Sequence, residues 1–355
     1  MAVSEAKKKF EGDKRSKLKQ EKPRVYEKII KLAEMEERGE CTSRIDIGYD
    51  YKCNLKCKHC MANTFQKKSR SLTPTDMRHI AEQADALGWC QFNVSGGEPL
   101  MLKNFDEVLE ALMPDRFHIG ISTNGYFLTA EKAKHLKSIG LDKVMISLDS
   151  YDEALHNQNR ARAGAYEKAI SALWNARNAG LDTIIQTVIT HQNAQTEDTV
   201  NLAKFAQENG FSLDLVIGKA IGQWEGEHDI LIDAQDATFL RELNEKYPAA
   251  RRDVFPSYGM RGGCGALNKC FHISQFGDMF PCVFMHVSIG NLFEDSLKTI
   301  VDRGMKIKYF KNHSPICLAG ENRRFITKYM SRFYGKPLPV DYREIFTEEG
   351  DFIEE

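Results

Sequence analysis

Three closely spaced cysteines are the residues of this chain best suited to metal chemistry. Cys53, Cys57 and Cys60 follow the apolar stretch 45–49, with three and then two residues between them. Thiolates this close together can bind three corners of a cubane iron–sulfur cluster, and the iron without a cysteine stays open to a substrate or cofactor. Structural zinc sites instead favour four ligands in paired units. The spacing favours an open cluster over a zinc knuckle or a group of buried thiols.

A second motif, Gly96-Gly97-Glu98-Pro99, lies farther along the chain. Glycines let the backbone approach another group closely, and proline removes a donor and fixes the direction of the chain. Together with the three cysteines, this motif resembles the radical S-adenosylmethionine (radical SAM) superfamily. The resemblance implies that Cys53, Cys57 and Cys60 hold a [4Fe–4S] cluster and that SAM chelates the open iron. It also implies that the Gly96–Pro99 segment accepts a hydrogen bond from the SAM amine.

Strand and helix patterns alternate regularly from residue 43 to residue 220. The predicted strands cover residues 44–49, 91–95, 118–122, 143–148, 183–190 and 212–217, and the helices between them cover 74–87, 105–112, 130–139, 166–179 and 198–209. Several helices are followed by glycine, which commonly ends a helix. Six such units predict an α/β fold with a parallel sheet and right-handed crossovers. This is a partial (β/α)6 TIM-type barrel, which the resemblance also implies.

Polar residues stand where the predicted strands end, and ligand sites of parallel α/β barrels form at those ends. The resemblance implies that Ser122, Asn124 and Ser147 bind the SAM ribose and carboxylate. It makes Arg160 the SAM-carboxylate partner, which suits the bidentate fork of a guanidinium, with Arg162 as a competitor. His59 stands where the family usually has an aromatic residue near the SAM adenine. Alternatively, the serines and Asn124 serve as turn residues or helix caps, and His59 is a simple loop residue.

Four further cysteines, Cys264, Cys270, Cys282 and Cys317, lie beyond the predicted barrel. With a hairpin over 271–284 that turns at Gly277, they resemble the auxiliary-cluster extension called SPASM or its shorter form, twitch. A dense cysteine run of the long form is missing, so one auxiliary [4Fe–4S] cluster is expected. Cys317 is then either its fourth ligand or a free thiol that returns hydrogen to a substrate. Unligated structural cysteines and a zinc site are the alternatives.

The remaining organisation follows from pattern and charge. We expect a basic helical segment at 1–42, whose apolar residues from Val25 onward dock on the barrel. A cysteine-rich α+β extension follows at 221–335. An acidic, loosely ordered tail is expected at 336–355. The net charge of −1 gives no reason to expect nucleic acid as a partner, and no apolar run predicts a membrane span or a secretory signal. A cytoplasmic protein is expected, in which the nine cysteines are ligands or catalysts rather than disulfides, apart from Cys41 and Cys90, which are expected to serve in packing.

The resemblance implies an enzyme that receives an electron from a flavodoxin- or ferredoxin-like donor. SAM is then cleaved reductively, and the 5′-deoxyadenosyl radical takes hydrogen from a substrate C–H. Peptide-modifying members often carry a peptide-binding domain ahead of the barrel, and only about 42 residues precede this one. A small polar substrate such as a sugar derivative, which is oxidised or epimerised, is therefore favoured over peptide maturation. The non-enzyme alternative is an iron–sulfur or zinc scaffold.

Overall fold

The computed structural model describes residues 16–42, 44–62, 65–257 and 259–353, and a mixed sheet is its central feature. Ten strands of the described residues join in the order β11-β9-β8-β1-β2-β3-β4-β5-β6-β7. Strands β1 to β7 and β8 run parallel, and β9 and β11 run antiparallel to their neighbours. The strands are β1 Arg44–Asp50, β2 Gln91–Gly96, β3 His118–Thr123, β4 Lys143–Ser147, β5 Asp182–Ile189, β6 Ser212–Ile217, β7 Ala250–Arg252, β8 Cys270–Ile273, β9 Asp278–Phe280 and β11 Gly290–Asn291, while β10 Val287–Ser288 pairs separately with β12 Val340–Asp341.

Helices connect the parallel strands and cover the outer face of the sheet. The helices of the described residues are α1 Pro23–Ile29, α2 Leu32–Glu37, α3 Pro74–Ala86, α4 Phe105–Ala111, α5 Ala130–Ser138, α6 Glu153–Asn159, α7 Ala165–Asn178, α8 Glu197–Glu208, α9 Ala234–Lys246, α10 Leu297–Gly304, α11 Lys308–Lys311, α12 Arg323–Lys328 and α13 Tyr342–Ile345. Their starts follow capping rules: Thr73 and Asp76 form a reciprocal capping box at α3, with Pro74 in the first turn. The predicted α/β partial barrel is confirmed, and each of the six predicted strands agrees with the structure to within one residue at either end.

Alternation along β5 shows which face of the sheet forms the core. Ile185, Thr187 and Ile189 are buried, whereas the intervening Gln186 and Val188 are partly accessible. Side chains of a strand alternate between its two faces. The buried set therefore faces the helices, and Gln186 and Val188 face the interior of the barrel. A partly accessible barrel interior leaves room for a ligand beside the strand ends.

The C-terminal extension continues the barrel sheet at both edges. Strand β8 pairs in parallel with β1, and Gly277 turns the chain into β9 with a φ of +80°. At the other edge, β7 pairs with β6 although it lies beyond residue 220. The cysteine-rich extension is thereby attached to the strand that leads into Cys53. The residue limits of the predicted domains stay a prediction.

The N-terminal segment docks at the end of the barrel where the strands begin. Val25, Ile29 and Leu32 are buried on one side of α1 and α2. Lys22 donates to the carbonyl oxygens of Phe117 and Gly140 and pairs with Asp142 at 2.6 Å. The docking predicted for this segment is present, and the more basic residues 1–15 lie outside the described residues.

The prediction of a loosely ordered tail at 336–355 is wrong for the described residues 336–353. Ile345 and Phe346 are buried, and the Phe346 ring packs 5.0 Å from the ring of Tyr329. The Tyr329 hydroxyl donates to Asp351 at 2.5 Å. Two apolar side chains and one buried hydrogen bond therefore hold a segment whose acidic composition suggested disorder.

Candidate active site

The three-cysteine loop leaves β1 at the end of the sheet where the parallel strands finish. All three cysteines are half-buried, and two of their sulfurs receive polar contacts, one from the end of α6 and one from the residue after β3. Arg160 approaches the Cys57 sulfur at 3.7 Å, and the Asn124 side-chain amide approaches the Cys53 sulfur at 3.9 Å. N–H donors aimed at sulfur suit thiolates that carry negative charge in a cluster. The loop is thus built for three metal-bound sulfurs.

Gly96 and Gly97 let β2 pack directly against the stem of the cysteine loop. A Cβ at Gly96, whose φ is +114°, would stand 2.5 Å from the Asp50 carbonyl oxygen, and one at Gly97 would stand 2.0 Å from that of Lys52. The Gly97 N–H donates to Asp50, and the Glu98 N–H donates to Lys52. The sequence predicted a close backbone approach to a ligand. The structure shows that the same glycines also fix the loop that carries the cysteines.

Glu98 is buried and ties the ends of β2 and β3 together. Its carboxylate accepts from the Thr123 hydroxyl at 2.7 Å, the Asn124 N–H at 2.8 Å and the Leu100 N–H at 3.0 Å. Burial raises the pKa of Glu98, although these three donors act in the opposite direction. Pro99 follows at the start of a 3-10 turn over Pro99–Met101. The Glu98 side chain therefore has a structural task, and any contact of this segment with SAM stays a prediction.

The predicted polar residues of β3 and β4 lie at adjacent strand ends. Asn124 donates through its side-chain amide to the Asn54 side chain at 2.9 Å, and Ser122 accepts from Asn93 at 3.2 Å. Ser147 ends β4 half-buried, in register with Gln186 of β5. The structure brings these three side chains to the rim of the barrel interior, and their contacts with SAM stay a prediction.

Arg160 lies in a buried ion pair that the sequence did not indicate. Its guanidinium donates to Asp149 at 2.6 Å while approaching the Cys57 sulfur. Burial alone would raise the pKa of Asp149, but the charge of Arg160 and its hydrogen bond outweigh burial and lower that pKa. The competitor Arg162 is exposed and donates to the Asn54 carbonyl oxygen at 3.3 Å. Arg160 thus touches the cluster loop, and its proposed role toward the SAM carboxylate stays untested.

His59 faces the loop that follows β6. Its ring centre lies 5.6 Å from the ring centre of Trp224, and burial lowers its pKa to about 4. A Cβ at Gly222 would stand 2.6 Å from the Cys60 carbonyl oxygen, so this loop packs closely on the cysteine loop. A neutral, partly enclosed imidazole beside an indole is compatible with a flat ligand such as adenine.

The four cysteines of the extension converge on a second site. Cys317 is buried, and a hydrogen bond with the Cys264 thiol, together with burial, raises its pKa well above the usual value. Burial raises the pKa of Cys282 to about 12, and the nearby Cys317 raises it further. Cys282 in turn lies close enough to Cys270 to contribute to the raised pKa of Cys270. Metal ligation replaces the protons of such crowded thiols. The site therefore offers four ligands from four separate segments.

Sulfur spacing distinguishes the two metals that such cysteines could hold. A tetrahedral zinc site with Zn–S bonds of about 2.3 Å puts its sulfurs roughly 3.8 Å apart. Within the described part of the chain, no three cysteine sulfurs lie within 4.8 Å of one another. A cubane cluster binds each cysteine to a different iron and spaces the sulfurs more widely. The described cysteines therefore form no preformed zinc site with three closely spaced sulfurs.

Comparison with known proteins agrees with this chemistry. Residues 51–203 match the radical SAM superfamily, and residues 264–319 match SPASM, an iron–sulfur cluster-binding domain. The chain therefore contains a radical SAM domain followed by a SPASM domain. It is an iron–sulfur protein that uses SAM at one [4Fe–4S] cluster and has auxiliary-cluster ligands in the extension. This confirms the resemblance and the cofactors expected from the sequence.

Individual relatives cover most of the chain at low identity. Mycofactocin maturase MftC of Mycolicibacterium smegmatis is 28% identical over 75% of this chain and 72% of its own length. An AdoMet-dependent heme synthase of Methanosarcina barkeri is 24% identical over 70% of this chain and 78% of its own length. The structure of SuiB from Streptococcus suis, solved with its precursor peptide SuiA, has a TM-score of 0.59 at 19% identity and shares the fold over 76% of this chain and 66% of SuiB. None of the helices in the described ranges is long and apolar enough to cross a membrane.

Proposed function

We propose that this protein catalyses a SAM-dependent two-electron oxidation of a substrate held in the barrel interior. The single observation that supports oxidation is that Cys317 is buried and hydrogen-bonded to Cys264, another candidate ligand of the auxiliary cluster. An epimerase needs a thiol that returns hydrogen to the substrate. A fully ligated auxiliary cluster instead suits the removal of an electron. The geometry favours dehydrogenation or bond formation over epimerisation.

The balance of the reaction assigns each hydrogen and electron. When bound, the first cluster supplies the electron that splits SAM into methionine and a 5′-deoxyadenosyl radical, which takes one hydrogen atom from the substrate. The resulting substrate radical then loses a proton and one electron, and the auxiliary site is the proposed electron acceptor. Cys53, Cys57 and Cys60 would hold the first cluster, and Cys264, Cys270, Cys282 and Cys317 the auxiliary one.

A small polar substrate fits the residues that line the barrel. Ser147, Gln186 and Asp214 are half-buried and follow one another in register across β4, β5 and β6. Asn93 of β2 is also buried, and its side-chain oxygen has no hydrogen-bond partner among the described residues. Buried polar atoms are stabilised by hydrogen bonds, so hydroxyl groups of a sugar derivative would complete this set.

A precursor peptide is the second candidate substrate, because one relative is named a maturase. We also propose a flavodoxin- or ferredoxin-like protein as the electron donor. That part can be tested by replacing dithionite with a purified flavodoxin and its reductase, with which 5′-deoxyadenosine should still form.

Isotope transfer separates the candidate substrates and outcomes. Anaerobic protein is mixed with SAM, reductant and either deuterated sugar derivatives or deuterated peptides. We expect deuterium in 5′-deoxyadenosine from one substrate class, and a product that has lost this deuterium and one further hydrogen. A product of inverted configuration that has only exchanged one deuterium for hydrogen would contradict the oxidation. If deuterium is transferred only from peptides, the substrate is a precursor peptide rather than a small polar molecule.

Iron content tests the ligand role of Cys317. Cys317→Ser should lower the iron bound by anaerobic protein and weaken the auxiliary EPR signal. Cys90→Ser is the matched control, because Cys90 is equally buried but precedes β2 at the opposite end of the strands. If Cys317→Ser keeps both cluster signals and instead blocks hydrogen return to the substrate, Cys317 is a free hydrogen donor. Epimerisation is then favoured over oxidation.

A further inference from the structure

Lys219 carries a buried ammonium group that the proposed reaction leaves unused. Its side chain is 1% exposed, and the nearest carboxylate, that of Asp253, lies 3.9 Å away. Among the residues that the structure describes, its Nζ atom has no hydrogen-bond partner. Burying a charge is costly unless an opposite charge compensates it. A negatively charged group close to this ammonium would offset that cost.

Lys219 lies beside the chain segments that carry two of the auxiliary cysteines. Its Nζ lies 3.9 Å from the ring centre of Phe284, which follows Cys282 by two residues. Gly320, three residues after Cys317, packs so closely on the end of β6 that a Cβ there would stand 2.7 Å from Ile217. The segment that carries Cys282 thus contacts the Lys219 side chain, and the segment that carries Cys317 packs on β6, which ends two residues before Lys219.

Charge effects on the thiols agree with this packing. The Lys219 charge works to lower the pKa of Cys282 and Cys317 against the stronger effect of burial. Asp253 acts in the opposite direction on Cys270 and Cys317. Asp253 is 42% exposed, so water screens its charge more than that of Lys219. Lys219 therefore contributes a buried positive charge on the side of Cys282 and Cys317.

We propose that Lys219 raises the reduction potential of the auxiliary cluster, so that the cluster accepts the electron of the substrate radical more readily. This inference rests on the proposed function, because it requires a cluster at the four cysteines. The reduced cluster carries one more negative charge than the oxidised one, and a nearby ammonium stabilises it. Net charge around a cluster is one of the determinants of its potential. Lys219 acts through the cluster rather than on the substrate.

An EPR-monitored redox titration of the anaerobic holoprotein tests the proposal. Lys219→Met should shift the reduction equilibrium of the auxiliary cluster by about tenfold or more, which makes its potential about 59 mV more negative for one electron. Lys219→Arg should restore the potential, since it keeps the charge. Asp253→Asn should move the potential in the positive direction. Lys22→Met is the control, because Lys22 is 12% exposed and pairs with Asp142 at the opposite end of the sheet.

The outcomes separate this proposal from the one on which it rests. An unchanged or more positive auxiliary potential in a cluster-loaded Lys219→Met protein would overturn it. If Lys219→Met does not load the cluster, Asp253→Asn decides: a positive shift supports the proposal, and no shift or a negative one rejects it. If Cys282→Ser retains both cluster signals, the ligand assignment of the proposed function fails instead.

Discussion

Gly97 lies so close to Lys52 that a Cβ at position 97 would stand 2.0 Å from the Lys52 carbonyl oxygen. The next residue donates its N–H to that same oxygen at 2.9 Å. Lys52 directly precedes Cys53. The glycine motif and the cysteine motif, which are far apart in sequence, therefore form one structural unit.

Gly97→Ala should displace the cysteine loop, because the added methyl group and the Lys52 carbonyl cannot occupy the same space. Small displacements of reacting groups cost on the order of 10²-fold in rate, and we expect a loss of this size in 5′-deoxyadenosine formation, with less iron bound. Gly350→Ala is the control, since the nearest atom to a Cβ there is 3.7 Å away at the tip of Lys308. Wild-type iron content and rate in Gly97→Ala would show that the close packing is not needed.

Asp149→Asn should destabilise the fold, because Arg160 would keep a buried charge without its partner. Breaking a buried ion pair costs about 3–5 kcal/mol, and the free energy of unfolding of the anaerobic protein, measured in urea, should fall accordingly. The exposed pair of Lys298 and Asp302 provides the comparison. Asp302→Asn should cost less than about 1 kcal/mol. Equal losses in the two variants would contradict the structural role of the buried pair.

His191 should contribute stability that depends on pH. The Asp236 carboxylate, 2.7 Å from its Nδ1 atom, raises the pKa of His191 above the ordinary 6.5. A raised folded-state pKa gives stability that is full below pH 6.5 and is lost as pH rises through the folded value. The melting temperature of His191→Gln should therefore change less than that of the wild type between about pH 6 and pH 8. An NMR titration that gives His191 a pKa below 6.5 would contradict the pairing.

Phe346→Ala should destabilise the protein, since the ring is 3% exposed and packs on Tyr329 and Phe310. Removing a buried phenylalanine side chain costs about 3–5 kcal/mol, measured again by urea unfolding. Ile353→Ala is the control, because Ile353 is 38% exposed. A negligible effect of Phe346→Ala would restore the expectation of a loosely ordered tail.

Local patterns in the sequence were enough to predict the barrel. Glycines such as Gly88 and Gly140 after helices, and short apolar runs, each act within a few residues. These signals gave β6 its exact limits and the other five strands theirs to within one residue. The polar rim residues were predicted for the same reason, because strand ends can be read directly from the sequence.

Features that depend on distant residues could not be predicted in this way. Nothing near Arg160 in the sequence indicates that it would form an ion pair with Asp149, or that its guanidinium would approach the Cys57 sulfur. Likewise, the pairing of Arg44 with Cys270, which joins the extension to β1, links two distant segments. The order of the tail was mispredicted because the prediction gave more weight to its acidic composition than to Ile345 and Phe346. The burial of these two residues depends on α12 and its neighbours, which are distant in sequence.

Reductive SAM cleavage tests the central claim most directly. Anaerobic protein with reconstituted clusters, strong reductant and SAM should form 5′-deoxyadenosine and methionine, and replacing Cys53, Cys57 and Cys60 by alanine should abolish both products. If the cluster-loaded wild-type protein forms no 5′-deoxyadenosine with any sugar derivative or peptide supplied, the three-cysteine loop does not perform the chemistry assigned to it.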